Sequence, residues 1–231
     1  MSDASKRSDK LTVHLAHTQG FCAGVFSAIE IVELAIQKYG VPLYVRHEIV
    51  HNTSIIADFE SRGVIFIEEL KDVPDNQPVV FSAHGTAPDV FEEAKRRGIH
   101  IIDATCPLVT KVHRQAVRYS KRDTPTILIG HKGHQELIGT SGYIRKDLLH
   151  IVETADDVAK IDIDADQEVG VLTQTTLSVS DTADILEAIK ARFPKVITGS
   201  KKDICYATQN RQDAVKELAA SCELMVICGS P

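Results

Sequence analysis

The stretch VVFSAHGTAPDVFEEAKRRGIHIIDATCPLVTKVH, residues 79–113, decides the fold class. Val79–Phe81 is a short apolar run closed by Ser-Ala-His-Gly. Pro88 suits the first turn of a helix that Gly98 ends, Ile99–Ile102 is a second apolar run, and Pro107 opens another helix. Runs this short, apolar on both faces and separated by helices, belong to a parallel sheet covered on both sides.

The same alternation extends in both directions. Further strands are predicted at Leu11–Ala16, Pro42–Arg46, Val64–Ile67, Thr126–Ile129, Leu149–Val152, Val169–Thr173, Val196–Thr198 and Leu224–Cys228. Val25, Ile29, Val32 and Ile36 lie on one face of a helix that stops at Gly40-Val41-Pro42, and Ser180-Asp181 precedes a helix running to Phe193-Pro194. The chain is therefore α/β, and ligands are expected beyond the carboxyl ends of the strands. The polar segments that follow strands are Gly20-Phe21-Cys22, His51-Asn52, Ala83-His84-Gly85, Asp103–Cys106, Gly130–His134, Gln174-Thr175-Thr176, Asp203-Ile204-Cys205 and Gly229-Ser230, and they are expected to line one crevice.

Cys22, Cys106 and Cys205 are 84 and 99 residues apart, each between a strand and a helix, which suggests three similar α/β units. The expected division is a disordered tail over 1–10, a first strand within 11–21 joining the third unit, unit one over 22–105, unit two over 106–203, and the start of unit three over 204–231.

With 231 residues, 43% hydrophobic and 25% charged, the composition is that of a soluble globular protein. Lys and Arg number 26 against 32 Asp and Glu, a net charge of −6 that leaves no electrostatic footprint for nucleic acid or an acidic membrane. A polar start without an apolar core region, and no apolar run of about 18 residues, point to the cytoplasm and a small-molecule ligand.

Five widely spread cysteines do not make a disulfide scaffold. Three thiolates after three strands suit an iron–sulfur cluster with one iron free of protein ligands. A zinc site, small buried hydrophobes and a low-pKa nucleophile at Cys22 are the alternatives. Cys222 and Cys228, in or beside the apolar run at 224–227, read as core cysteines. His51, His84 and His134, each in a loop beside Asn or Gly, suit an anion such as phosphate or diphosphate. His14, His17, His47, His100, His113, His131 and His150 read as packing or solvated residues. Glu136, two residues from His134, is a candidate proton donor or a solvated carboxylate. Thr175 and Thr176 are candidate proton relays or turn caps. His131 and His134 have a weak H-x-x-H spacing for zinc, and neither a P-loop nor a G-x-G-x-x-G fingerprint is present.

The blocks GFCAGV (20–25), VRHEIVHN (45–52), SAHG (82–85), DATCPLVTKVH (103–113), IGHKGH (129–134), TQTTLSV (173–179) and DICYATQNRQ (203–212), in this order, resemble the 4-hydroxy-3-methylbut-2-enyl diphosphate reductases (IspH/LytB). The resemblance spans residues 11 to 231. It implies a trefoil of three pseudo-repeated α/β units with mostly parallel sheets around a central [4Fe-4S] cluster on Cys22, Cys106 and Cys205, one iron facing the substrate hydroxyl. It also implies diphosphate binding by His51, His84 and His134, proton supply by Glu136, and Thr175 holding the substrate alcohol and assisting the relay. The implied reaction is two-electron reductive dehydroxylation to isopentenyl and dimethylallyl diphosphate, the last step of the non-mevalonate isoprenoid pathway, with ferredoxin or flavodoxin as electron donor.

Phe26-Ser27, Gln135, Ile138 and Tyr143 depart from the family pattern without touching a cluster ligand. The sequence stops at Cys228-Gly229-Ser230-Pro231, before the Ser/Asn segment with which the family grips the diphosphate, so the third unit is expected to be incomplete. The alternative is a non-catalytic sensor or remnant that keeps the cluster or metal without turnover.

Overall fold

The computed structural model describes residues 12–198 and 203–229. Leu11 and the expected tail at 1–10 lie outside the described residues. Two four-stranded sheets, both wholly parallel, organise the chain.

The first sheet follows helix α1 (Ala23–Tyr39). It contains β1 (Leu43–Arg46), β2 (Val64–Ile67), β3 (Val79–Phe81) and β4 (Ile101–Asp103), with α2 (Thr53–Ser61) and α3 (Pro88–Arg96) as crossovers. Its order is β2-β1-β3-β4. The second sheet follows α4 (Pro107–Lys121) and contains β5 (Thr126–Ile129), β6 (Leu149–Val152), β7 (Val169–Thr173) and β8 (Val196–Thr198). Its crossovers include α5 (Gln135–Ser141), α6 (Ala155–Val158) and α7 (Val179–Arg192), and its order is β6-β5-β7-β8. The two sheets thus share one topology. In each, the first and third strands are neighbours at the centre and the chain leaves them in opposite directions, which opens a crevice at their carboxyl ends. Helix α8 (Tyr206–Ala219) follows the second sheet.

Burial on both faces explains the apolar strands. Leu43 and Val45 of β1 pack with Val32, Ile49 and Phe59 on one side, while Tyr44 packs with Phe81, Ile67 and Leu70 on the other. In β5, Ile127 and Ile129 join Ile185 and Phe193, and Leu128 joins Tyr119 and Leu172. Each such aliphatic side chain contributes about 1.5–3 kcal/mol on burial. The predicted face of α1 is present, with one shift: Ala28, Val32 and Ala35 are its buried residues, flanked by Val25, Ile29 and Ile36. The alanines let the helix axis approach the sheet.

Helix punctuation follows the sequence closely. Gly40, at φ 77°, ends α1 and donates its N–H to Ile36 O. Ser178, two residues before the predicted Ser180-Asp181 signal, caps α7 by accepting from the N–H groups of Ser180 and Asp181.

Two predicted strands are absent. Residues 12–16 and 224–228 form no strand. Val13, Leu15, Leu224, Val226 and Ile227 are all exposed, so these runs have the apolar character of strands but no ladder partner among the described residues. The core reading of the nearby cysteines fails for the same reason: Cys222 is half-buried and Cys228 exposed. His14 accordingly lies outside any strand, and His100 sits just before β4, its Nε2 2.8 Å from the Tyr39 hydroxyl.

Candidate active site

The site is assembled from loops at the carboxyl ends of the central strands. His51 follows β1 and His84 follows β3 in the first sheet; His134 follows β5 and Thr175 follows β7 in the second. The shared topology therefore presents two crevices to each other.

The three imidazoles predicted to bind an anion meet. Ring centroids are 4.0 Å apart for His51 and His84, 5.4 Å for His51 and His134, and 6.0 Å for His84 and His134. His134 Nδ1 accepts the N–H of Glu136 at 3.1 Å, so Nε2 carries the proton and remains a donor. His51 Nδ1 is bonded to the Glu48 carboxylate at 3.1 Å. His84 Nδ1 lies 3.3 Å from Ser82 Oγ. Burial above all, with the neighbouring His51, His134 and His47 adding to it, brings His84 down to about 3. Burial likewise lowers His134, with His51 contributing. An anion among these imidazoles would favour the protonated forms of His84 and His134, against the effect of burial.

Glu136 is buried, at 2% exposure, rather than a solvated loop carboxylate. Burial raises its carboxyl to about 7, against the opposing influence of two hydrogen bonds from Thr175. The Thr175 N–H donates to one oxygen at 2.5 Å and the hydroxyl to the other at 2.9 Å. Thr175 is thus a partner of the proton-holding group, not a turn cap. Thr176 has a supporting part: its hydroxyl accepts from Gln174 Nε2 at 2.9 Å, while Gln174 Oε1 accepts the His131 N–H at 3.0 Å. The weak H-x-x-H reading finds no support, because His131 is largely exposed and turns toward Glu153.

Cys22, Cys106 and Cys205 are the N-cap residues of α1, α4 and α8. Each thiol is therefore placed at a helix start, where backbone N–H groups lack intrahelical partners. Cys22 Sγ accepts from the Val25 N–H at 3.4 Å. Two of the thiols converge: a Cβ placed on Gly24 would lie 2.8 Å from Cys106 Sγ and 3.8 Å from Cys22 Sγ. Burial raises the Cys106 thiol, hydrogen bonds from Leu108 and Val109 lower it, and Cys205 and Cys22 raise it again. Three thiols, each at a helix start, form a donor set suited to a cationic metal centre. Among the described residues no group of His, Cys, Asp and Glu has the compact spacing that holds a single metal ion.

The thiols and imidazoles belong to one framework. Cys106 N–H donates to Ala83 O, beside His84, at 3.0 Å, and Cys205 N–H donates to Thr175 O at 2.7 Å. Arg211 of α8 donates to Gly20 O, two residues before Cys22. Lys111 and Asp203 form a 3.3 Å ion pair between α4 and the segment leading to Cys205.

Residues 13–231 match the family described as LytB protein. This chain belongs to the LytB family. LytB relatives include the 4-hydroxy-3-methylbut-2-enyl diphosphate reductase of Nitrosomonas europaea, 51% identical over 223 residues that make up 96% of this chain and 69% of that one. The reductase of the same name from a Polaromonas species is 52% identical over 231 residues, all of this chain and 68% of its own length. Among solved LytB structures, the E-1-hydroxy-2-methyl-but-2-enyl-4-diphosphate reductase of Plasmodium falciparum superposes with a TM-score of 0.90 at 43% identity, over 93% of this chain and 67% of that one. A second, an (E)-4-hydroxy-3-methyl-but-2-enyl diphosphate reductase, gives 0.74 at 30% identity, over 88% and 72%. The α/β fold is that of the LytB reductases. No helix among the described residues is long and apolar enough to cross a membrane.

Three residues of this LytB site have parts that the sequence alone does not show. Gly24, within the GFCAGV block, leaves room for the thiols of Cys106 and Cys22. Tyr143, a departure from the family pattern, and His113, read as a packing or solvated residue, stack at 4.2 Å directly behind the His84 turn. The clue for Gly24 was a glycine inside a helix, which costs about 1 kcal/mol against alanine unless a close approach requires it.

Proposed function

We propose that this chain is an iron–sulfur reductase that converts (E)-4-hydroxy-3-methylbut-2-enyl diphosphate to isopentenyl and dimethylallyl diphosphate. Two electrons and two protons enter, the allylic C–O bond breaks, one proton leaves in water and the other in the product C–H bond. The observation that carries this reading is the joining of three functional sets in one framework: N-cap thiols, imidazoles, and a buried carboxyl bonded to Thr175.

In this reading Cys22, Cys106 and Cys205 hold a [4Fe-4S] cluster, which supplies single electrons received from a ferredoxin or flavodoxin. His51, His84 and His134 neutralise the diphosphate and fix one end of the substrate. Glu136, kept protonated near neutral pH by burial, is the proton source, and the Thr175 hydroxyl 2.9 Å away passes the proton toward the substrate alcohol. Burial of Glu136, at 2% exposure, keeps water from the carboxyl. The units run over 22–105 and 106–203, with 204–231 opening a third, and the protein acts in the cytoplasm.

The test is iron and acid-labile sulfide per chain after anaerobic reconstitution, for wild type and Cys106→Ser, followed by turnover of the diphosphate substrate with a chemical reductant. About four iron and four sulfide in the wild type, a loss in the variant, and product formation are expected. A folded chain that takes up neither iron nor sulfide sinks the proposal. A cluster whose spectrum changes with substrate but yields no product would point to a sensor.

A further inference from the structure

The turn that carries His84 is held from two sides. On one side Gly85, at φ +86°, presses on α4, where an added Cβ would lie 2.5 Å from His113 Cε1 and 2.9 Å from Val109 Cγ1. On the other, α5 closes over it: a Cβ on Gly139 would lie 2.8 Å from Gly85 O, and one on Gly142 2.5 Å from Ala87 Cβ. Glycine against backbone is a close contact, but a smooth one that lets the segments slide.

Tyr143 removes that freedom. Its ring stacks on His113 at 4.2 Å with an interplanar angle of 23°, and its hydroxyl donates to Thr86 O at 3.1 Å. Thr86 lies two residues past His84 and is almost fully buried. The turn belongs to the first sheet, whereas α5, with His134 before it and Glu136 in its first turn, belongs to the second. The two sheets share no strand pairing among the described residues, so contacts of this kind fix how one half of the site faces the other.

We infer that Tyr143 is a positioning residue of the anion site: through Thr86 and His113 it locks the His84 turn to α5 and sets the distance from His84 to His134 and Glu136. This rests on the reading of His51, His84 and His134 as the diphosphate site. Tyr143 acts at one remove, and its effect is one of geometry, where small displacements cost binding and rate steeply.

Pyrophosphate titrated calorimetrically into the anaerobically reconstituted protein tests it, for wild type, Tyr143→Phe and Tyr143→Leu. Loss of one directional hydrogen bond in Tyr143→Phe should weaken pyrophosphate about three- to tenfold. Tyr143→Leu, which also loses the stack, should weaken it further. The histidine ring-proton resonances of the site should shift in both variants, and KM for the diphosphate substrate should rise more than kcat falls. A purely structural role would lower the thermal midpoint and leave the affinity of the folded protein unchanged. Wild-type binding with equal affinity in both variants overturns the positioning role. No pyrophosphate binding by the wild type overturns the site reading beneath it, and the positioning role with it.

Discussion

Thr175 gives both of its donors to Glu136: the backbone N–H reaches one carboxylate oxygen at 2.5 Å and the hydroxyl the other at 2.9 Å. Its carbonyl accepts from Cys205 N–H at 2.7 Å, so one residue joins the proton-holding group to a thiol-bearing helix start. Both donations favour the ionised carboxylate and oppose the burial that raises it to about 7. Thr175→Val keeps the shape and the N–H but removes the hydroxyl donor. The Glu136 carboxyl should therefore rise above its wild-type value, moving the alkaline limb of the pH–rate profile to higher pH while the rate itself falls through loss of the relay. Thr175→Ser, which keeps the hydroxyl, should leave that limb in place. An unmoved limb in Thr175→Val would dissociate the hydroxyl from Glu136.

Glu136→Gln is expected to separate stability from turnover. The wild-type carboxyl titrates at about 7 when folded and near its ordinary 4.5 when unfolded. Between those values the folded chain keeps a proton that the unfolded chain has released. Stability from this group is therefore complete below about 4.5 and is lost as the pH rises through 7, to the extent of about 3 kcal/mol. The variant cannot titrate and is nearly isosteric, so its urea midpoint should decline less between pH 5.5 and 8.5 than that of the wild type. Turnover should be abolished with the cluster content intact. Parallel declines would show that Glu136 does not carry the raised carboxyl.

How much of this was legible in the sequence depends on what each residue needs to know about its neighbours. The strands of both sheets are local apolar runs, and Gly40, Pro88 and Pro107 punctuate their helices by their own backbone limits. The runs at 12–16 and 224–228 have the same local character and form no strand, because strand formation requires a partner and composition alone does not supply one. His51, His84 and His134 were singled out by their loops, and the geometry brings them together. The burial of Glu136 was not legible, since an acidic residue after His-Gln reads equally as a surface loop until Thr175 and the covering sheets arrive from 39 residues away. Gly24, His113 and Tyr143 act through packing across the chain, for which a single sequence carries almost no signal.

Binding of a diphosphate should be accompanied by proton uptake. Burial holds His84 at about 3 and lowers His134, so both are neutral at pH 7 in the free site. A polyanion among them reverses the balance by favouring the charged imidazoles. Pyrophosphate titrations in buffers of different ionisation enthalpy should give an observed heat that varies with the buffer in the direction of uptake by the protein. Affinity should then rise as the pH falls from 8 toward 6. His84→Asn should reduce the protons taken up; a heat independent of buffer would mean that the imidazoles bind as neutral donors.

Gly24→Ala provides the sharpest test of thiol convergence, because local and global effects have opposite signs. Gly24 lies in the first turn of α1, where alanine favours the helix, by up to about 1 kcal/mol at an interior position. On propensity alone the substitution should be harmless or mildly stabilising. The added Cβ, however, would stand 2.8 Å from Cys106 Sγ and 3.8 Å from Cys22 Sγ. The Cys106 thiol would have to move, and the three-thiol set would lose its geometry. The expected outcome is an apo chain whose thermal midpoint is unchanged or higher, together with iron and sulfide uptake well below that of the wild type. Equal uptake in the two proteins would show that Cys106 can turn away from Gly24 and still serve as a ligand.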